Sequence, residues 1–379
     1  MTGAADGPTA LVEAVDRRDL SRFEAAWRDL AARAGEPNAF AEPDFLIPAL
    51  QRLAHTRVRT LLVWRDSSRA ALIGVAAVAP PRLPFGLASL WRSEQAALAA
   101  ILLDRDAASE ALAAIVDALR AKAPSLVGLR LPFSTVDGPV AAAAAALAAR
   151  RGLTLKAAHS RRRAALVVGA KASFEARLDK RRRKEWARQR RRLEELGDLE
   201  SRVGADAAAI EGFLAVENSG WKGARRSALD ARAERAAFAR ETLARFAARG
   251  ALEIHSLALK GELIAAAAVL RAGNRAFYWK TAYDERFAAY SPGVQATLEL
   301  SRRLERNPGL SLVDSCAVAD HPMIDRAWRD HIELIDLALS LTPGGGAAFA
   351  LATAVAHGIE RLKRRARRLV DATTRLSRA

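Results

Sequence analysis

A single cysteine, Cys316, in 379 residues leaves no partner for a disulfide and too few thiolates for a cysteine zinc cluster. The histidines (His55, His159, His255, His321, His331, His357) stand at no metal-ligand spacing, so no metal site is expected. Long apolar runs are missing too. The longest late one, Ala347 to Ala356, is mostly alanine and falls well short of the ~20 residues that span a bilayer. The opening Met1-Thr2-Gly3-Ala4-Ala5-Asp6 lacks a basic and an apolar leader region, so the cytoplasm is the expected compartment. Acidic residues are in deficit, 43 against 60 Lys and Arg, for a net charge of +17. With 51% hydrophobic and 27% charged residues, the chain is globular rather than disordered.

The positive charge is concentrated. From Arg177 to Arg192 there are ten Lys/Arg and two acids; from Arg361 to Ala379 there are eight and one. These segments supply +15 of the total, so the rest is nearly neutral. A nucleic-acid-binding domain would spread its excess over a folded face. Two basic helices read either as solvated faces or as attractors of an anionic ligand, of tRNA, or of an anionic membrane surface at the inner face of the membrane.

The order of elements predicts an α+β fold used twice. Residues 21–55 read as helices, with Phe23, Trp27 and Leu30 at helical spacing. A hairpin follows, Val58 to Trp64 and Ala71 to Val78, then a helix from Ala107, a strand from Leu126, an alanine-rich helix from Val140 and a strand near Leu153–Ala157. The second half repeats this with a basic helix from Phe174 to Leu196, two more helices, and a three-strand meander over 252–283. A helix from Pro292 and a strand at Leu310 to Asp314 come next. Leu72 to Val78 and Leu263 to Val269 echo each other in the middle of each unit. The expected divisions are a flexible segment at 1–20, a non-catalytic unit at 21–160, a catalytic unit at 161–342, and a Gly-rich linker with a basic helix at 343–379. In that helix Leu362 and Leu369 face one way and the arginines the other.

On the third meander strand, alternation puts Tyr278, Lys280 and Ala282 on one face and Phe277, Trp279, Thr281 and Tyr283 on the other. A lysine inside this aromatic run is unusual, because Lys is rarely buried without a partner. It suits either an oxyanion or anion site, or a plain sheet edge. Asp314, at a strand end, is a candidate base. Cys316 beside it lacks a complete nucleophile constellation and reads as a structural thiol.

Glu217-Asn218-Ser219-Gly220-Trp221-Lys222-Gly223 resembles the E-x-S-G-W-K-G signature of the CelD-type acyltransferases. These are a branch of the GNAT superfamily related to the FemAB tandem-GNAT proteins. Phe277 to Glu285, with Phe287 and Tyr290-Ser291-Pro292-Gly293, resembles the family's second signature. The likeness extends over about residues 20–340 and implies two tandem GNAT-like domains with mixed sheets flanked by helices. It implies acyl-CoA, acetyl-CoA first, as co-substrate, with no metal. Its thioester would lie where the third meander strand and the following helix splay apart, and its diphosphate on the helix start. Tyr283, Tyr290, Ser291, Gly293 and Val294 are the residues so implicated, although only one glycine of the usual Q/R-x-x-G-x-G/A loop is present.

Glu217, Lys280 and Asp314 are the candidate catalytic groups, and Trp221, Lys222 and Tyr278 the candidate acceptor contacts. Glu217 suits proton abstraction from an amine or hydroxyl, with capping or a salt bridge as the alternative. The implied acceptor is a small molecule or saccharide of polysaccharide or envelope metabolism. Two rivals stand: an aminoacyl-tRNA-dependent aminoacyltransferase of FemAB type, and a non-catalytic basic scaffold. Residues alone leave the oligomeric state open.

Overall fold

The computed structural model describes residues 10–81, 85–220 and 228–376. Among them, thirteen strands join into one sheet. They are β1 (Leu11–Val15), β2 (Arg59–Trp64), β3 (Leu72–Ala79), β4 (Leu87–Leu90), β5 (Ile101–Leu103), β6 (Gly128–Thr135) and β7 (Leu153–Val167). The second half adds β8 (Leu199–Gly204), β9 (Leu252–Leu259), β10 (Glu262–Ala272), β11 (Arg275–Tyr283), β12 (Leu312–Asp314) and β13 (Asp330–Pro343). The order across the sheet is β1-β2-β3-β4-β6-β13-β7-β12-β11-β10-β9-β8, with β5 added onto β3. Three features differ from the sequence reading. Leu11–Val15 pairs with β2, a strand too short to stand out before residue 21. Residues Leu199–Gly204 form the far edge, mostly exposed and polar, and so without an alternating apolar signal. The strand expected near Leu153–Ala157 runs on to Val167, and β13 inserts between it and β6. One sheet therefore passes through both halves.

Helices cover the sheet in each half. Pro43–Arg52 starts on a proline, favourable at the first helical position. It packs its Phe45 edge-on to Phe238 of the Ala233–Ala248 helix and to Trp279 of β11, at 5.2 and 5.9 Å between ring centres. That aromatic cluster, with Phe40 on Phe277, makes the first half part of the second half's core. On the other face of β11, Tyr278 joins Leu298 and Leu300 of the Pro292–Glu305 helix and Trp328.

Candidate functional site

β11 pairs with β12 in parallel through only three residues, Arg275↔Leu312, Ala276↔Val313 and Phe277↔Asp314. Beyond that the two part. β12 ends at Asp314, the Ser315 amide turns to Ala164 of β7, and Cys316 takes a left-handed backbone, φ 54°. Among the described residues, Tyr278 to Tyr283 then have a strand neighbour on one side only, β10. The opening lies between two strands. The strand–helix divergence expected from the sequence is not what the structure has: the Tyr278 hydroxyl sits 2.8 Å from Thr297 Oγ1, and a Cβ on Gly293 would meet the Tyr283 ring at 3.1 Å. The helix stays on the strand because small or short residues, Gly293 and Thr297, face its two tyrosines.

The alternation read from the sequence also fails, for a definite reason. Tyr278 pairs with Val269 and Lys280 with Ala268, so Trp279 is an extra residue, a β-bulge. Past a bulge the faces exchange. Tyr278, Thr281 and Tyr283 lie toward the helix, Thr281 within hydrogen-bonding reach of the Tyr278 phenol. Phe277, Trp279 and Lys280 lie on the opposite face, with the Lys280 ammonium 5.9 Å from the Trp279 ring centre.

That face meets a segment of the first half. Trp279 Nε1 donates to the Gln95 carbonyl at 2.7 Å. Arg163 of β7 donates to the carbonyls of Ala97 and Ala317 and pairs with Asp314 at 3.0 Å, both charges being buried. Lys280 and the Glu94–Arg235 ion pair (2.7 Å) complete a charged cluster beside Trp279. Burial pushes the Glu94 carboxyl up, but the Arg235 hydrogen bond, helped by Gln95 and Lys280, brings it below its ordinary range. Glu94, Arg163 and Arg235 lie in no motif, and only the fold brings them to β11.

The other candidates fall into two groups. Tyr278 is 4% exposed, and burial pushes its phenol up, so it braces the strand against the helix instead of facing an acceptor. Glu217 is 2% exposed, and its Oε2 accepts from the Leu229 amide at 2.6 Å, tying its helix to the next turn. Asp314 holds Arg163 and accepts from the Cys316 amide. Burial first, then Asp314, raise the Cys316 thiol well above its ordinary value, which disfavours a thiolate. His321 Nδ1 accepts from the Met323 and Ile324 amides of its own turn. Trp221 and Lys222 lie outside the described residues.

At the helix start, Ser291 adopts the left-handed conformation and its carbonyl takes both the Val294 and Gln295 amides. This leaves fewer helix-end donors than the sequence suggests. The basic Lys180–Glu194 helix compensates with charge. It lies against this start, Gln295 bonding the Trp186 carbonyl, Arg190 pairing with Glu299 at 3.1 Å, and Arg192 stacking on Tyr290. Among the described residues there is no group of His, Cys, Asp and Glu arranged to hold a metal ion.

Residues 180–337 match the family model described as an acetyltransferase (GNAT) domain. No curated protein matches the chain. Among solved structures, a conserved protein of unknown function from Bacteroides thetaiotaomicron is similar, with a TM-score of 0.55 at 11% identity. The likeness covers 87% of this chain and 99% of that one. FemX is similar, with a TM-score of 0.54 at 13% identity over 86% and 96% of the two chains. So is the C-terminal DUF2156 domain of an Agrobacterium fabrum protein described as a lysylphosphatidylglycerol synthetase, with a TM-score of 0.50 at 12% identity over 88% and 96%. The fold is α+β, one mixed sheet flanked by helices, and residues 180–337 of it match the acetyltransferase (GNAT) domain.

Proposed function

We propose that the chain transfers an acyl group from acyl-CoA, acetyl-CoA first among the candidates, to an amine or hydroxyl of a polysaccharide- or envelope-related acceptor. The wedge between β11 and β12 is the proposed place of reaction. The observation that carries this reading is the end of strand pairing at Phe277↔Asp314, which among the described residues leaves the Tyr278–Tyr283 edge without a second strand. An open edge offers backbone groups to the amides of a pantetheine arm, as it would to an added strand. The phosphates would rest on the Pro292–Glu305 helix dipole and the cations of the Lys180–Glu194 helix.

Acyl-CoA supplies an activated thioester; the acceptor forms the new C–N or C–O bond as C–S breaks, and its proton ends on the leaving sulfur. The bulge at Trp279 withdraws backbone from the ladder and gives an amide to the developing oxyanion. Lys280 adds positive charge at the same place, and Glu94 and Arg235 orient the acceptor. The CelD-type likeness supports the acceptor class and the FemX likeness supports the aminoacyl-tRNA alternative.

Thermal unfolding with and without acetyl-CoA tests the donor. Acetyl-CoA at about a hundred times its dissociation constant stabilises by about 2.7 kcal/mol and raises the melting temperature. No shift with any acyl-CoA, together with salt-sensitive tRNA binding, overturns the reading in favour of the aminoacyl-tRNA donor; silence with both favours the scaffold.

A further inference from the structure

We propose that the C-terminal helix, Gly346–Leu376, is a docking surface for an anionic lipid bilayer, on which it lies flat. The inference is independent of the acyl-transfer reading. The helix is held by the protein at its beginning. Phe349 is buried, against Gly128 of β6, and Thr353 is buried one turn on, beside Lys156. At 100° per residue these two define the docked side. Leu351, Val355, Ile359 and Leu362 follow at i, i+4, i+8 and i+11, all within one narrow sector on the opposite side. They are exposed, Leu351 and Leu362 at 67% each. Among the described residues nothing covers this apolar line.

Its surroundings in sequence identify the partner. From Arg361 to Ala379 the chain carries eight Lys and Arg and one acid. An apolar stripe that leads into a cation-rich sequence is the composition that sinks into the headgroup region of anionic bilayers, where each signal alone binds weakly and both together hold. A second copy of the helix fits less well: the 4-4-3 spacing of the stripe departs from a heptad, and pairing would bring together two segments each carrying eight Lys and Arg against one acid. RNA would use the cations and leave exposed leucines idle. No helix among the described residues is long and apolar enough to cross a membrane, so the contact is along the surface.

The test is co-sedimentation of the full chain with vesicles of phosphatidylcholine alone and of phosphatidylcholine with one third phosphatidylglycerol. The expected result is pelleting with the anionic vesicles only, weakened by salt. In the double variant Leu351→Asp, Leu362→Asp it drops by roughly tenfold or more, as expected for an apolar anchor. Both sites are exposed, so the variant should keep the wild-type melting temperature; Leu351→Ser with Leu362→Ser is a milder version with the same expectation. Equal pelleting of wild type and both variants, no pelleting with anionic vesicles, or dimerisation through the helix in place of vesicle binding would each overturn the proposal. RNA binding at the expense of vesicle binding would also do so.

Discussion

In the first half, β4 pairs with β6 in parallel through Leu87↔Gly128, Ala88↔Leu129 and Ser89↔Arg130, and then parts from it. In the second half, β11 and β12 pair through three residues and part likewise. The antiparallel neighbours carry the match one residue further, since Val78↔Leu90 corresponds to Val269↔Tyr278. Leu90-Trp91-Arg92 therefore stands where Tyr278-Trp279-Lys280 stands. The difference lies in what the chain does next. After Arg92 it doubles back: Ala100 bonds Trp91, and β5 completes the edge of β3. Leu98, Ala99, Ile101 and Leu103 then face Pro132 and Phe133, leaving a cavity of about 20 Å³, space for a single water. After Tyr283 the chain moves away into a turn at 285–290 and the Pro292–Glu305 helix, so among the described residues no returning strand pairs into the second fork. One architecture serves as filler in one copy and as an opening in the other, and the filler of the first copy supplies the Gln95 and Ala97 carbonyls that brace the second.

The most severe way to break this arrangement is at its brace. Arg163→Met leaves the buried Asp314 carboxylate without its cation and orphans the carbonyls of Ala97 and Ala317. A loss of about 3–5 kcal/mol in urea unfolding is expected, and Arg163→Met with Asp314→Leu should regain much of it, because the pair itself contributes little against apolar replacement. A loss below about 1 kcal/mol would mean that the two forks are not braced through this pair.

The second test sets the equivalent cations against each other. Lys280→Ala should lower acyl transfer by tenfold or more, a barrier increase of at least about 1.4 kcal/mol, with little change in melting temperature. Arg92 is committed to structure, bonding the Ala96 carbonyl and stacking on Phe133 at 4.3 Å. Arg92→Ala should reverse the pattern, losing about 1–2 kcal/mol of stability while turnover stays within a few-fold. Equal kinetic losses would erase the distinction between open and filled forks.

Much of the fold was legible because it is written in short-range signals: the meander of β9 to β11 in alternating strands and tight turns, the proline at position 292, the glycine stop at Gly250. The echo of Leu72 to Val78 in Leu263 to Val269 even has the correct register. The site was less legible, because what shapes it is either a single-residue irregularity or a long-range contact. A bulge at Trp279 leaves no mark in composition, yet it moves Lys280 to the other face. Glu94 reaches β11 only because one sheet runs through both halves. The exchange that places β13 beside β6 involves residues some 200 positions apart, beyond any periodicity argument.

The smallest expected effect compares two carboxylates, one buried in the first half and one half-buried in the second, that titrate in opposite directions. Burial pushes Glu42, in the first half, up from 4.5 to about 7, outweighing the neighbouring Arg249. The folded state then keeps a proton that the unfolded chain has lost, so stability falls as pH rises from about 4.5 to about 7 and levels off above. Glu253, in the second half, is drawn down to about 2 by its hydrogen bond from His255, against burial and with help from Arg303. Here the unfolded chain binds the proton first. The Glu253 contribution is complete above about 4.5 and is lost as pH falls toward about 2. Glu42→Gln should therefore flatten the decline between about pH 4.5 and about pH 7, and Glu253→Gln should soften acid unfolding and leave that decline in place. Denaturant midpoints across the range decide it. A Glu42→Gln protein with the wild-type slope would show that Arg249 holds Glu42 ionised, and the two halves would then carry these acids in the same way.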